Sequence, residues 1–139
     1  MKMKYKIYVD EGFLVDVMQG EVYLQDLERI FQHEMLNPDF IYVNRVLSNI
    51  SNAKMNISSD EIRKFASFMA APGKDPNKSF RWAILTNEPK QTALSFLIQE
   101  HEFFKDIIGV FSTLDACTEF LGITFEKQNF EEEDYLKLE

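Results

Sequence analysis

Cysteine is almost missing from this 139-residue chain: Cys117 stands alone, so no internal disulfide can form and nothing calls for an oxidising compartment. Glycine is scarce too, with five residues scattered so that neither the dinucleotide nor the P-loop spacing occurs, and no Gly-x-Ser-x-Gly elbow exists. Positive charge is in deficit, 15 Lys and Arg against 23 Asp and Glu, for a formal net charge of −8. A negative surface repels phosphate backbones and anionic lipid, which argues against nucleic acid as a partner. Long apolar runs are lacking as well: none approaches the roughly 18 residues of a membrane span, so membrane insertion is not expected. The basic start is interrupted by Asp10, Glu11 and Gly12 before any leader-like apolar stretch, and the expected location is cytoplasmic.

What the chain has in quantity is phenylalanine, 13 residues, which predicts a core built on rings as much as on branched aliphatics. Its length matches one domain. The most informative stretch begins at Phe80, where a run apolar on both faces leads into a helical pattern, and the same succession follows from Ile107. Tandem strand–helix units of this kind predict a parallel sheet covered on both sides.

The alternation of Tyr5, Ile7 and Val9, then the run from Phe13 to Met18, predict a β-hairpin turning at Asp10 to Gly12 and ending at Gly20. Leu24, Leu27, Ile30, Phe31 and Met35 follow helical spacing, and Asn37-Pro38 stops that helix. A strand is expected over residues 45–49 or a little longer, with residues 51–56 polar and turn-like. Ser58 with Glu61 three residues later makes a capping box for a helix whose stripe is Ile62, Phe65, Ala66 and Met69. After a loop over residues 71–79 and the Phe80 strand, Asn87 or Glu88 caps a helix begun by Pro89, whose buried face is expected at Ala93, Phe96 and Leu97. A last helix carries Leu114, Cys117, Phe120 and Leu121, capped by Ser112 or Thr113 and ended by Gly122. Residues 123–125 add an edge strand or simply pack down. Half of the net charge falls after residue 125, six acids against two lysines. The expected organisation is one domain over residues 1–125 and a mobile acidic tail over 126–139, which Phe130, Tyr135 and Leu136 could anchor locally.

Gly20-Glu21-Val22, Asn37-Pro38-Asp39-Phe40, the segment from Val46 to Ala53, Arg81-Trp82-Ala83-Ile84-Leu85 and the junction from Val110 to Ala116 together resemble the STAS-like superfamily, in particular its SpoIIAA-like branch of small bacterial proteins. The resemblance spans about residues 5–121. It implies an α/β fold with a mixed, largely parallel sheet, an N-terminal hairpin and about four helices. It also implies a non-enzymatic regulatory protein-binding module, like the anti-sigma-factor antagonists, with an unidentified protein partner and room for a homodimer. The SEC14-like relatives of that layout imply an alternative, a carrier or sensor of a small apolar ligand. Where such proteins often carry an acid at the end of the central strand, this chain has Asn49, and its serines Ser58 and Ser59 precede Asp60-Glu61 rather than a glycine.

The candidate partner or phosphate site is therefore Asn49, Ser51, Ser58 and Ser59, the last two at a helix start where free amides favour a phosphate while the neighbouring acids oppose it. A candidate docking loop carries Lys74, Lys78 and Arg81, a basic patch on an acidic protein. His33-Glu34 and Glu100-His101-Glu102 do not form chelates, since adjacent helical residues point about 100° apart; no metal, catalytic residue or cofactor is expected. Cys117 reads as a buried core thiol. Phe103 and Phe104, with Ile107 and Ile108, either line a ligand pocket or close the core.

Overall fold

A computed structural model describes residues 2–70 and 79–138. Strands β1 (Lys2–Tyr8) and β2 (Phe13–Val22) form the hairpin; helix α1 (Leu24–Leu36) and a 3-10 turn (Pro38–Tyr42) lead to β3 (Arg45–Met55). Then follow α2 (Ser59–Ala70), β4 (Arg81–Leu85), α3 (Pro89–Gln99), β5 (Ile108–Phe111), α4 (Leu114–Leu121), a second 3-10 turn (Lys127–Glu131) and β6 (Leu136–Leu138). The six strands make one sheet in the order β5-β4-β3-β2-β1-β6. Pairings from β2 through β5 are parallel, and β1 pairs antiparallel with both neighbours. This is the mixed, largely parallel α/β architecture with four helices.

Because side chains alternate across a strand, the sheet has two differently filled faces. On one, Leu14, Met18, Val46, Ile50 and Ile84 meet Leu27 and Ile30 of α1, Ile62 and Phe65 of α2, and Leu94 and Ile98 of α3. On the other, Val15, Val17, Leu47, Ala83 and Leu85 meet Cys117 and Leu121 of α4, with Phe125, Phe130 and Tyr135 beyond it. Successive parallel connections of one hand put α1, α2 and α3 together on the first face.

Predicted caps hold in detail. The Ser58 hydroxyl accepts from Glu61 N at 3.1 Å while Ser58 N donates to Glu61 Oε1 at 2.9 Å. Of the alternatives at α3 and α4, Glu88 and Thr113 are the caps. Gly122 ends α4 with φ 68°, a left-handed conformation that glycine adopts without strain.

Several expectations are corrected. The hairpin strand does not stop at Gly20; it continues to Val22, with Gly20 at φ 81° inside it. Residues 51–56 are not a turn, since β3 runs to Met55 with Ala53 and Met55 buried. The register shifts there: Val17 faces Asn49 but Gln19 faces Asn52, leaving an extra residue on β3. Asn49 Oδ1 steadies that bulge by accepting from Ser51 N (3.0 Å) and Ser51 Oγ (2.6 Å). Past the bulge β4 no longer pairs, and Gln91 of α3 takes over, its Nε2 donating to the carbonyls of Ser51 (3.2 Å) and Ala53 (2.8 Å). That contact fixes the rotation of α3. Its buried face is therefore Gln91, Leu94, Ser95 and Ile98, and not Ala93, Phe96 and Leu97, of which Ala93 and Phe96 are exposed and Leu97 is half-buried.

The segment after residue 125, expected to be a mobile tail, packs instead. Phe130 and Tyr135 are buried, β6 pairs with β1, and no strand forms over residues 123–125. Its acids meet Lys6 of β1, whose Nζ lies 2.8 Å from Asp134 and 3.2 Å from Glu132; the Glu132 carboxylate also accepts from Tyr8, and Lys4 donates to the Phe130 carbonyl.

Candidate functional site

The first face of the sheet departs from a simple core at Asp16. Its neighbours in β2 are all apolar, and period two turns its side chain toward the helices with Leu14 and Met18. From α1, Glu34 occupies the position seven residues after Leu27 and four after Ile30, on the stripe that faces the sheet. Both acids are inside: Asp16 is 4% and Glu34 6% exposed. With both acids ionised, each would keep one oxygen, Asp16 Oδ1 and Glu34 Oε2, buried and without a hydrogen-bond donor. Buried polar atoms are nearly always paired, so two orphans side by side are informative.

These acids border two adjoining cavities. The smaller, about 60 Å³, lies among Met18, Leu27, Ile30, Met55, Ile62 and Leu94. The larger, about 250 Å³, is lined by Met35, Phe40, Val46, Phe80, Phe103, Phe104 and Ile107. Asp16, Phe31, Glu34, Met69 and Trp82 line both, which puts the carboxyl pair at the junction. Phe104, Ile107 and Ile108 are in the core with Phe103 packed against them, and Phe103, Phe104 and Ile107 also border the larger cavity, so both readings of this group are met.

The strand register supplies the polar surroundings. Asp16 of β2 stands opposite Ser48 of β3, and Trp82 of β4 donates its indole Nε1–H to Ser48 Oγ at 2.9 Å. Burial pushes the Asp16 carboxyl above the usual carboxylate range, opposed by hydrogen bonding with Glu34 and Ser48. Glu34 is pushed higher, by burial first and then by the charge of Asp16. Two carboxylates this close in an apolar setting do not both ionise. The pair therefore favours one shared proton over two charges, and Glu34 is the one raised further. Next to them Tyr5, fully buried, pairs its hydroxyl with His33 Nδ1 at 2.7 Å and accepts from Asn37 Nδ2 at 3.1 Å.

A hard metal ion does not suit the pair, because such ions take six or more oxygen ligands and the remaining walls add only the hydroxyls of Ser48 and Ser95. No group of three or more His, Cys, Asp or Glu that could hold a metal exists among the described residues. A pair of unsatisfied acceptors in a ring-lined cavity does suit a small organic molecule with hydrogen-bond donors.

The residues singled out from the sequence lie elsewhere. Asn49 and Ser51 are together, at the bulge in the middle of β3, in a polar crevice with Thr86, Asn87, Ser112, Lys4 and Lys127. Ser58 and Ser59 are exposed at the start of α2, and Ser58 is occupied in its capping box. Arg81 is half-buried at the start of β4, its Nη1 donating to the Phe80 carbonyl at 2.9 Å; Lys74 and Lys78 lie outside the described residues. Cys117 is fully buried, and burial pushes its thiol up to about 12, so the core reading of that residue agrees with its setting. Sequence reasoning missed Asp16 and Glu34. The signal was present, as an acid inside an apolar strand run and an acid on an apolar helical stripe.

No helix among the described residues is long and apolar enough to cross a membrane. No protein-family model matches the sequence, and no curated protein does. Among solved structures, an uncharacterized protein from the DUF3478 family with a SpoIIAA-like fold, from Shewanella loihica PV-4, is similar over 78% of this chain and 83% of its own, with 16% identity and a TM-score of 0.50. At that identity the likeness is one of architecture. The chain has a SpoIIAA-like fold.

Proposed function

We propose that this protein is a non-enzymatic binding module, a carrier or sensor, for a small and largely apolar ligand held between the sheet and helices α1 and α2. The observation that carries this reading is the cavity of about 250 Å³ beside the carboxyl pair. Protein cores are close-packed, and a void of about 150 Å³ already accommodates benzene, so this one is large enough for a substituted ring. A half-open, ring-lined cavity with two buried acids at its inner end is a functional candidate. Native mass spectrometry of the freshly purified full chain tests it. A copurifying small-molecule mass, displaced when the cavity is filled by Val46→Phe, supports the reading. A ligand mass unchanged in that variant, or a bare chain that binds no apolar probe, opposes it.

A regulatory protein-binding role is a second reading, supported by a separate patch. Leu36, Ile41 and Tyr42 are exposed together where α1 passes into the first 3-10 turn, with Leu36 at 83% and Ile41 at 80%. Clustered apolar side chains of this sort favour contact with another protein or a second copy of the chain. Sedimentation of the wild type against Ile41→Asp at matched concentration separates the cases for self-association. A dimer lost in the variant supports it, and a monomer in both opposes it.

A further inference from the structure

The cavity's walls are of two kinds, and the combination narrows the ligand. Phe31, Phe40, Phe80, Trp82, Phe103 and Phe104 supply six aromatic rings. Their faces carry partial negative charge and attract cations within reach of the ring. Asp16 and Glu34 supply the only charged or ionisable side chains that line either cavity among the described residues, and no Lys, Arg or His does so. Beyond a proton shared between the two acids, Asp16 Oδ1 and Glu34 Oε2 have no donor to accept from. With one proton shared, the pair carries a single negative charge.

An anionic ligand would meet that charge in a low-dielectric space. A neutral hydrocarbon would fill the volume and leave both oxygens unsatisfied, at the desolvation cost they already bear. A protonated amine brings what is missing, up to three N–H donors and one positive charge, and its organic body suits the rings.

We propose that the cavity is a site for a primary organic ammonium with a ring-sized apolar body, its N–H groups on Asp16 and Glu34 and its body among the aromatic walls. This deepens, and rests on, the reading of the cavity as a ligand site. Trp82, the single tryptophan of the chain, lines both cavities and is a built-in reporter.

The experiment is a Trp82 fluorescence titration with three probes of nearly equal shape: 2-phenylethylammonium, propylbenzene and 3-phenylpropanoate. For the wild type, the ammonium is expected to bind at least about tenfold more tightly than propylbenzene, a difference of ~1.4 kcal/mol, and the carboxylate most weakly. In Asp16→Asn/Glu34→Gln the preference disappears while propylbenzene still binds. Should that double variant fail to fold, Glu34→Gln alone, which leaves the charge on Asp16 but replaces an acceptor oxygen by an NH2 donor, is expected to reduce the preference in part. Equal binding of the ammonium and propylbenzene by the wild type overturns the ammonium inference and leaves the ligand-site reading standing. An ammonium preference that survives the substitutions also overturns it. If no probe perturbs Trp82 or binds by calorimetry, both the inference and the reading fall.

Discussion

The two faces of one sheet have been filled by opposite rules. Beneath α4, Leu47, Ala83 and Cys117 are completely buried, and Phe125, Phe130 and Tyr135 close the layer. No carboxylate is buried there among the described residues. Beneath α1, α2 and α3, the same strands turn Asp16 and Ser48 inward, meet Glu34 and leave space among aromatic rings. The strands are shared, so the difference lies in what the alternate residues are. The face under α4 is filled by apolar side chains, and the opposite face keeps a polar pair beside a half-open cavity. Substitutions on the two faces should therefore behave differently.

The largest effect is expected under α4. Leu47→Ala removes a fully buried side chain from the central strand and should lower unfolding free energy by about 2–5 kcal/mol in chemical denaturation. Phe103→Ala, on the cavity wall, should cost distinctly less than the about 3–5 kcal/mol of a packed ring, because part of its surface already faces a void. Equal losses at the two positions would erase the contrast.

Next comes an opposite sign. The folded protein raises the titration of Glu34, so the protonated form is favoured by the fold. Its contribution is fully present below the ordinary value of 4.5 and is lost as pH climbs through the raised one. Glu34→Gln should then stabilise the protein near pH 8, by at least about 1.4 kcal/mol per unit of upward shift, and flatten the decline of stability with rising pH. Thermal unfolding of wild type and variant from pH 4 to 9 gives the answer. A variant that is less stable at every pH would show that the carboxylate is paired after all.

Ser48→Ala removes the acceptor of the Trp82 indole and should cost about 1–3 kcal/mol, with a shift in Trp82 emission that marks the loss inside the cavity. An unshifted spectrum would separate Trp82 from the acid pair. The smallest effect belongs to Lys6→Ala, which breaks two pairs with solvent-facing acids of the C-terminal segment. It should shift the denaturation midpoint little at low salt and not at all at high salt, since exposed pairs contribute weakly and are screened.

Much of the architecture was legible from local signals. The Ser58 box, Pro89, Thr113 and Gly122 all mark the ends they occupy, and the apolar runs at Phe80 and Ile107 do form parallel neighbours. Less legible was whatever depends on distant partners. The extension of β3 beyond its bulge depends on β2 on one side and on Gln91 reaching the carbonyls of Ser51 and Ala53 on the other, and the same contact sets the phase of α3. A charge count gave the C-terminal segment as a tail because the lysines that hold it, Lys4 and Lys6, come from the other end of the chain. The acid pair follows the same logic. Asp16 and Glu34 are each visible as an acid in an apolar pattern, but a strand residue and a helix residue become a pair only when the helix folds back over the sheet.

The account turns on whether Asp16 and Glu34 hold a proton between them inside an apolar cavity. A side-chain carboxyl ¹³C NMR titration of the full chain, assigned by Asp16→Asn and Glu34→Gln, measures this directly. The account predicts that one of the two carboxyls, chiefly that of Glu34, is still protonated at pH 7 and that its titration drops toward the ordinary range when Asp16 is replaced. Two independent titrations near the ordinary values of 3.8 and 4.5 would contradict it.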